Sequence, residues 1–260
     1  MTEPLVTIDG LRVSYRGKQV SSMPHLELHP GSMVALVGES GSGKSTVLMA
    51  ILGLLSPSAQ IEGSITVGGV QMVGADDRQA REVRGSQVAL VMQSPQGSLN
   101  PTMRLRTLAR RALKRHGVPR DEADRRIASA LADVRLDPVL LSRYPHQVSG
   151  GQAQRFAIAL AIALGARTIV ADEPTSALDV TVQADVVAVL QHLRAELDTA
   201  VLLVSHDLAL VSTIADQIVI MQNGEVVDGG DADHVLHHSE VPYTRALIDA
   251  VPTLEELGDD

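Results

Sequence analysis

Gly38-Glu39-Ser40-Gly41-Ser42-Gly43-Lys44-Ser45 fits the pattern G-x-x-x-x-G-K-[ST], and Thr46 follows it. Glycines at Gly38, Gly41 and Gly43 permit backbone angles that other residues resist, so successive N–H groups can converge on one anion. A helix opening at the lysine adds the positive end of its dipole. In such a loop Lys44 reaches the β- and γ-phosphates of a nucleoside triphosphate, the Ser45 hydroxyl binds magnesium, and Ser40 and Thr46 complete the cradle. Background residue frequencies produce such a string in about one per cent of chains this long.

Four further positions could do chemistry beside a bound triphosphate. Asp172-Glu173 closes the apolar run Thr168 to Ala171. Adjacent acids at a strand end can divide their work, Asp172 holding magnesium through water and Glu173 polarising an attacking water. His206 follows another apolar run, Val201 to Val204, and Gln93 follows "VALVM". Their value depends on whether those runs end at one edge of a sheet, where open parallel sheets place ligands. Gln93 could contact the metal or the water, or simply terminate its strand. Tyr15 could stack on a base or fill a gap. The remaining histidines, His237-His238 included, lack the cysteine or carboxylate spacing of a metal site. Ser149-Gly150-Gly151-Gln152 opens a second helix on glycine, with no acid or nucleophile nearby to explain it.

These residues need a frame. Met33 to Val37 is a short apolar run ending in glycine, and Val47, Leu48, Ile51, Leu54 and Leu55 follow at helical spacing: strand, tight loop, helix. The pattern returns at 168–171 and 201–204. Repeated buried strands followed by helices predict an α/β fold with a mostly parallel sheet covered on both faces. Period-two alternation over Ile61 to Val70, around Gly68-Gly69, predicts an antiparallel hairpin at the edge of that sheet. Between Ser94 and Gly165 strand signals vanish, and helices are expected over Leu105 to His116, Asp121 to Val134 and Gly151 to Leu164, punctuated by Gly117, Pro119, Pro138 and Pro145. The expected organisation is one folding unit over 1–260, a core of about 1–93 and 166–260 carrying an inserted helical lobe of about 94–165. In that lobe Arg104, Arg106, Arg110, Arg111, Lys114, Arg115, Arg120, Arg125 and Arg126 form a basic cluster. It reads as a solvated helix surface partly paired with Asp121, Glu122 and Asp124, with a docking surface for a partner or anionic lipid as the alternative.

Composition narrows the class of function. The 260 residues carry a net charge of -9, with 2% aromatic residues and no tryptophan. Nucleic-acid binding is not expected, because cations to neutralise a phosphate backbone and rings to stack on bases are both scarce. No apolar run approaches the roughly eighteen residues of a membrane span. The absence of cysteine removes disulfides and thiolate metal sites, and the N-terminus lacks a secretory pattern, so the cytoplasm is the expected compartment.

Taken in order, Tyr15, the phosphate loop, Gln93, Ser149-Gly150-Gly151-Gln152, Asp172-Glu173, the loop Ser176-Ala177-Leu178-Asp179 and His206 resemble the nucleotide-binding subunits of ATP-binding-cassette transporters over nearly the whole chain. The resemblance implies a P-loop NTPase core with an antiparallel β edge subdomain and an inserted helical lobe, ATP and Mg2+ as cofactors, and ATPase activity. It implies that Ser149 and Gly151 face the γ-phosphate of ATP held by a second subunit, and that Gly150, Gln152 and Asp179 belong to the same shared site. Glu173 would activate water, His206 would contact the γ-phosphate, and Gln93 and Asp172 would join Ser45 around the metal. "QSPQGSLNP", Gln93 to Pro101, and "VPYTRALIDAVP", Val241 to Pro252, are similar to stretches of the peptide and nickel importer ATPases. That implies a second ATPase subunit, identical or homologous, transmembrane permease subunits, an extracytoplasmic binding protein reached indirectly, and a place at the cytoplasmic face of the plasma membrane. The sequence departs from the pattern twice. Val148 stands where leucine is common, and no cysteine-bearing C-terminal extension is present, so no iron-sulfur cluster is expected. A soluble ATP-dependent switch, an exporter subunit and a small-molecule kinase are the competing readings. No heptad run or tandem cassette supports the first, no attached membrane domain the second, and a kinase has no use for the second glycine-opened helix or His206.

Overall fold

The computed structural model describes residues 3–251. Its central strand is β3 (Met33–Val37), five apolar residues all of which are buried, as a strand covered on both faces requires. β3 pairs in parallel with β8 (Ala200–Ser205) on one side and β9 (Gln217–Gln222) on the other. β7 (Thr168–Asp172) follows β8, and β6 (Val88–Val91) follows β7, again in parallel. Antiparallel β10 (Glu225–Asp231) closes the far edge, giving the order β10-β9-β3-β8-β7-β6. The three strands expected from the sequence are therefore neighbours. Their register aligns Val37 with Ser205 and Val204 with Asp172, so the residues that follow them emerge at one edge.

The hairpin of β4 (Ala59–Val67) and β5 (Val70–Gln71) turns at Gly68-Gly69, where both glycines have positive φ. It does not border the parallel sheet. It belongs to a separate antiparallel sheet with β1 (Val6–Tyr15) and β2 (Lys18–Leu28), in the order β2-β1-β4-β5. Sequence periodicity misses β1 because the register with β4 shifts between Asp9 and Arg12, which breaks strict alternation. At that point a Cβ on Gly63 would lie 2.4 Å from the Gly10 carbonyl oxygen, so the close approach of the two backbones needs glycine.

α1 (Lys44–Ile51) follows β3 and packs with the two sheets around a core that includes Val34, Leu36, Val47, Leu48 and Ile51. The expected helices appear as α4 (Leu105–Arg115), α5 (Arg120–Asp133) and α6 (Gly150–Leu164), after the short α2 (Asp77–Val83) and α3 (Pro95–Ser98). α6 ends at Gly165 with φ 92, the left-handed C-terminal stop that glycine provides. One cluster of buried residues runs from β3, β7 and β8 through α6 into α4 and α5. Phe156, the one phenylalanine of the sequence, sits in it 1% exposed. Truncating such a side chain to alanine costs about 3–5 kcal/mol.

In the basic cluster Arg110 holds Asp124 through two hydrogen bonds, 2.6 and 2.7 Å, and Arg125 and Arg126 both pair with Glu122. Asp121, also expected as a partner, makes no ion pair among the described residues. Arg104 lies over the Tyr144 ring, 5.6 Å from its centroid. The chain closes with α7 (Val180–Leu197), α8 (Leu208–Ile214), α9 (Ala232–His238) and α10 (Pro242–Asp249). No helix among the described residues is long and apolar enough to cross a membrane.

Candidate active site

The loop after β3 carries positive φ at Gly38, Gly41 and Gly43. It is wedged into place: a Cβ on Gly38 would lie 2.1 Å from the Met221 carbonyl oxygen, and one on Gly43 would lie 2.9 Å from that of Val20. Gly224, in the turn between β9 and β10, donates from its N–H to Ser42 O at 3.1 Å. No side chain caps the N-terminus of α1; Thr46 N and Val47 N donate to Gly43 O at 3.1 and 3.2 Å, and the N–H groups of Lys44 and Ser45 precede the first such bond of the helix. Lys44, 6% exposed, donates from Nζ to Gly38 O at 2.6 Å, Glu39 O at 2.8 Å and Ser42 Oγ at 3.2 Å.

A cleft of about 290 Å³ opens over this loop, lined by Ser40, Gly41, Gly43, Lys44, Ser45, Thr46, Asp172, Glu173, Val20 and Val204. A larger hollow of about 640 Å³ lies in the helical lobe between α4 and α5, away from these groups. Asp172 ends β7. Burial, and then the charge of Glu173, push its carboxyl above the ordinary range, against the pull of Lys44. Burial draws Lys44 below the usual amine range, while Glu173, Asp172 and Glu39 oppose it. Two neighbouring carboxylates thus lie within electrostatic reach of a buried ammonium that is hydrogen-bonded to the loop, and a divalent cation would offset their mutual repulsion. Among the described residues no group of three His, Cys, Asp or Glu could hold a metal. One carboxylate, hydroxyl and amide oxygens and phosphates suit magnesium, which seldom uses a cage built wholly of protein.

Glu173 extends the sheet by one hydrogen bond, its N–H donating to Val204 O at 2.9 Å. Its φ is 45, a left-handed conformation that a non-glycine residue resists. The turn directs its Oε1 to His206 Nδ1, 3.0 Å away. Gln93 joins from the other side, Nε2 donating to Ser176 Oγ at 2.7 Å, and Ser176 Oγ donates in turn to Glu173 O at 3.1 Å. The loop, Asp172, Glu173, His206 and Gln93 therefore form one neighbourhood. Tyr15 lies at the end of β1 against the core between the sheets and does not line the cleft, whereas Val20 of β2 does.

Ser149, Gly150, Gly151 and Gln152 lie outside the cleft lining and form the capped start of α6. Ser149 Oγ accepts from Gln152 N at 3.2 Å, and Gln152 Oε1 accepts from Ser149 N at 3.1 Å. A hydroxyl that accepts here keeps its proton to donate elsewhere. The two glycines have a packing reason of their own. A Cβ on Gly151 would lie 2.1 Å from Val182 Cγ1, and one on Gly150 3.1 Å from Leu178 Cδ2. Asp179 caps α7 by accepting from Val182 N at 3.0 Å. Sequence reasoning named Ser176 only as part of the Ser176-Ala177-Leu178-Asp179 loop and gave no role to Val20 or Gly224. The Asn223-Gly224 pair between two apolar runs is the one signal that could have marked the turn supporting the loop.

A family model described as "ABC transporter" matches residues 22–176. The chain is 35% identical over 259 residues to the "Oligopeptide transport ATP-binding protein OppD" of Haemophilus influenzae, covering 97% of this chain and 80% of that protein. It is 38% identical over 261 residues to the "Probable D,D-dipeptide transport ATP-binding protein DdpD" of Escherichia coli, with the same coverages of 97% and 80%. Among solved structures, cbiO1 from Clostridium perfringens, part of the complex cbiONQ, shares the fold with a TM-score of 0.81 at 24% identity, over 92% of this chain and 93% of that one. A dimeric post-hydrolysis state of the ATP-binding cassette MJ0796, bound to ADP and Pi, matches with a TM-score of 0.74 at 27% identity, over 87% and 98%.

Proposed function

The chain belongs to the ABC transporter family as an ATP-binding, ATP-hydrolysing subunit, and from that premise we propose that it energises a membrane importer of short peptides or of a chelated metal such as nickel. The peptide reading is supported by the names of its relatives from Haemophilus influenzae and Escherichia coli, which are transport ATP-binding proteins for oligopeptides and D,D-dipeptides. The chain works at the cytoplasmic face of the membrane, paired with a second ATPase subunit and docked on permease subunits that receive cargo from an external binding protein.

The observation that carries the catalytic reading is the contact of Glu173 Oε1 with His206 Nδ1 at the edge where the Lys44 loop opens. Magnesium, when bound, supplies positive charge that draws together and polarises the terminal phosphates. Ser45, Asp172 and Gln93 would hold it. Lys44 shifts its ammonium from the carbonyls of Gly38 and Glu39 toward the β- and γ-phosphates, balancing charge that develops there. Glu173 orients the attacking water and takes its proton. As the water oxygen bonds to the γ-phosphorus, the bond to the bridging oxygen breaks and its electron pair leaves with ADP. His206 fixes the Glu173 carboxylate and stands beside the γ-phosphate. Ser149 and Gly151 offer a hydroxyl and an N–H to the triphosphate of the opposite subunit, the same use of a helix start from the other side.

Co-purification from native membranes tests the transport role. Permease subunits should accompany the chain, and adding loaded binding protein to the reconstituted complex should raise phosphate release. A fully active monomer that no permease accompanies or stimulates would overturn it.

A further inference from the structure

Val241–Pro252 stands out in the sequence by resemblance alone and carries no assigned role; Pro252 lies outside the described residues. Within it, α10 brings one side chain to the phosphate loop. The hydroxyl of Tyr243 accepts a hydrogen bond from the N–H of Glu39 at 3.2 Å. The same peptide unit contains the Gly38 carbonyl, which accepts from Lys44 Nζ at 2.6 Å. In a trans peptide the C=O and N–H point in opposite directions, so Lys44 holds one end of this plane and Tyr243 the other.

Tyr243 is itself firmly seated. Its ring packs against the main core cluster together with Leu247 and Ile248. The first turn of α10 is fastened to β10, because Thr244 Oγ1 donates to Asp228 Oδ2 at 2.7 Å and the Ser239 hydroxyl donates to the same oxygen. Arg245 Nε donates to Ser239 O at 2.8 Å. The loop is thus held from the Gly224 turn at Ser42 and from α10 at Glu39, two contacts that reach it independently.

We infer that Tyr243 is a positioning residue of the phosphate loop: its hydroxyl fixes the Gly38–Glu39 peptide and thereby sets where the Lys44 ammonium rests before a triphosphate arrives. The inference rests on the reading of this loop as the triphosphate cradle. Without the hydroxyl the peptide plane gains freedom that must be lost again when Lys44 turns to the phosphates, which weakens binding.

The test is calorimetric titration of the full chain with magnesium and a non-hydrolysable ATP analogue, in wild type, Tyr243→Phe, Lys44→Ala and the double variant. Phenylalanine keeps the packed ring. Tyr243→Phe should weaken binding about threefold, through the freedom the peptide plane regains in the free state, and should lower the nucleotide-free unfolding midpoint only slightly, because the bond it removes is present there as well. On the Lys44→Ala background it should add less than about twofold, because the group through which it acts is gone. Unaltered affinity in Tyr243→Phe, or a full further loss on top of Lys44→Ala, would each overturn the inference and leave the loop reading intact. An unaltered affinity in Lys44→Ala would instead bring down the loop reading and this inference with it.

Discussion

Glu173 bears backbone strain at the position where we propose the water-activating base. Its φ of 45 costs about 1–2 kcal/mol for a residue with a Cβ, and the same turn places its carboxylate on His206. Glutamine keeps the shape and loses the base. Glu173→Gln should therefore hold nucleotide with near-normal affinity while phosphate release falls by at least about 100-fold; undiminished release would take the water-activating role from Glu173. Lys44 acts differently, because its three contacts lie within the loop itself. Lys44→Ala should weaken triphosphate binding outright, seen as a rightward shift of the nucleotide titration. The placing of Lys44, Asp172, Glu173 and His206 after apolar runs was readable from motif and strand end. The bond from His206 to Glu173 was not, because it depends on the left-handed turn at a residue that carries no glycine to announce it.

At the scale of elements, the starts of α6 and α7 are locked together. Gly151 meets Val182, Gly150 meets Leu178, and Asp179 caps the helix that carries Val182. Gln96 and Gln154 tie this end of the molecule to the stretch around Gln93, through Val148 O at 2.7 Å and Met92 O at 3.2 Å. The start of α6 is thereby bonded to the residue before Gln93 and packed against the segment that Asp179 caps. Gly151→Ala forces a Cβ against Val182 Cγ1 and should destabilise the chain by about 1–3 kcal/mol, as overpacking does. Val182→Ala in the same chain should recover most of that loss. Thermal unfolding of the single and double variants checks both, and a Gly151→Ala chain as stable as the parent would show that the contact yields easily. The sequence placed α4, α5 and α6 to within about two residues, because helix periodicity is local. It offered no sign that α6 and α7 touch at their starts.

Across the whole molecule, charge is divided unevenly. Residues 104–126 hold nine Arg and Lys against three Asp and Glu, in a chain of net charge -9. Arg110 and Asp124 form the best-aligned pair on that surface, and the hydrogen bond from Arg110 holds the Asp124 carboxyl below the ordinary aspartate range. A lowered carboxyl contributes stability that is present above the unfolded aspartate value and is lost as pH falls through the folded one. The pair is part-buried, its side chains 33% and 42% exposed, so solvent screening keeps the contribution to about 1 kcal/mol or less. Asp124→Asn should lower the unfolding midpoint slightly at pH 7, and the gap to the parent should close as pH falls below about 4; a gap independent of pH would assign the effect to packing. The antiparallel sheet was legible only in its Gly68-Gly69 hairpin, since β1 breaks its alternation at the shift beyond Asp9 and its partners are distant in sequence. The sequence by itself determined the phosphate loop, the strand ends that carry Asp172, Glu173 and His206, and the helices of the lobe, because each is written in residues close together in the chain. Only the tertiary structure decided that β3, β7 and β8 lie side by side, that Glu173 turns onto His206, and that Tyr243 reaches Glu39, because such contacts join segments as far as 204 residues apart and depend on packing that no local pattern encodes.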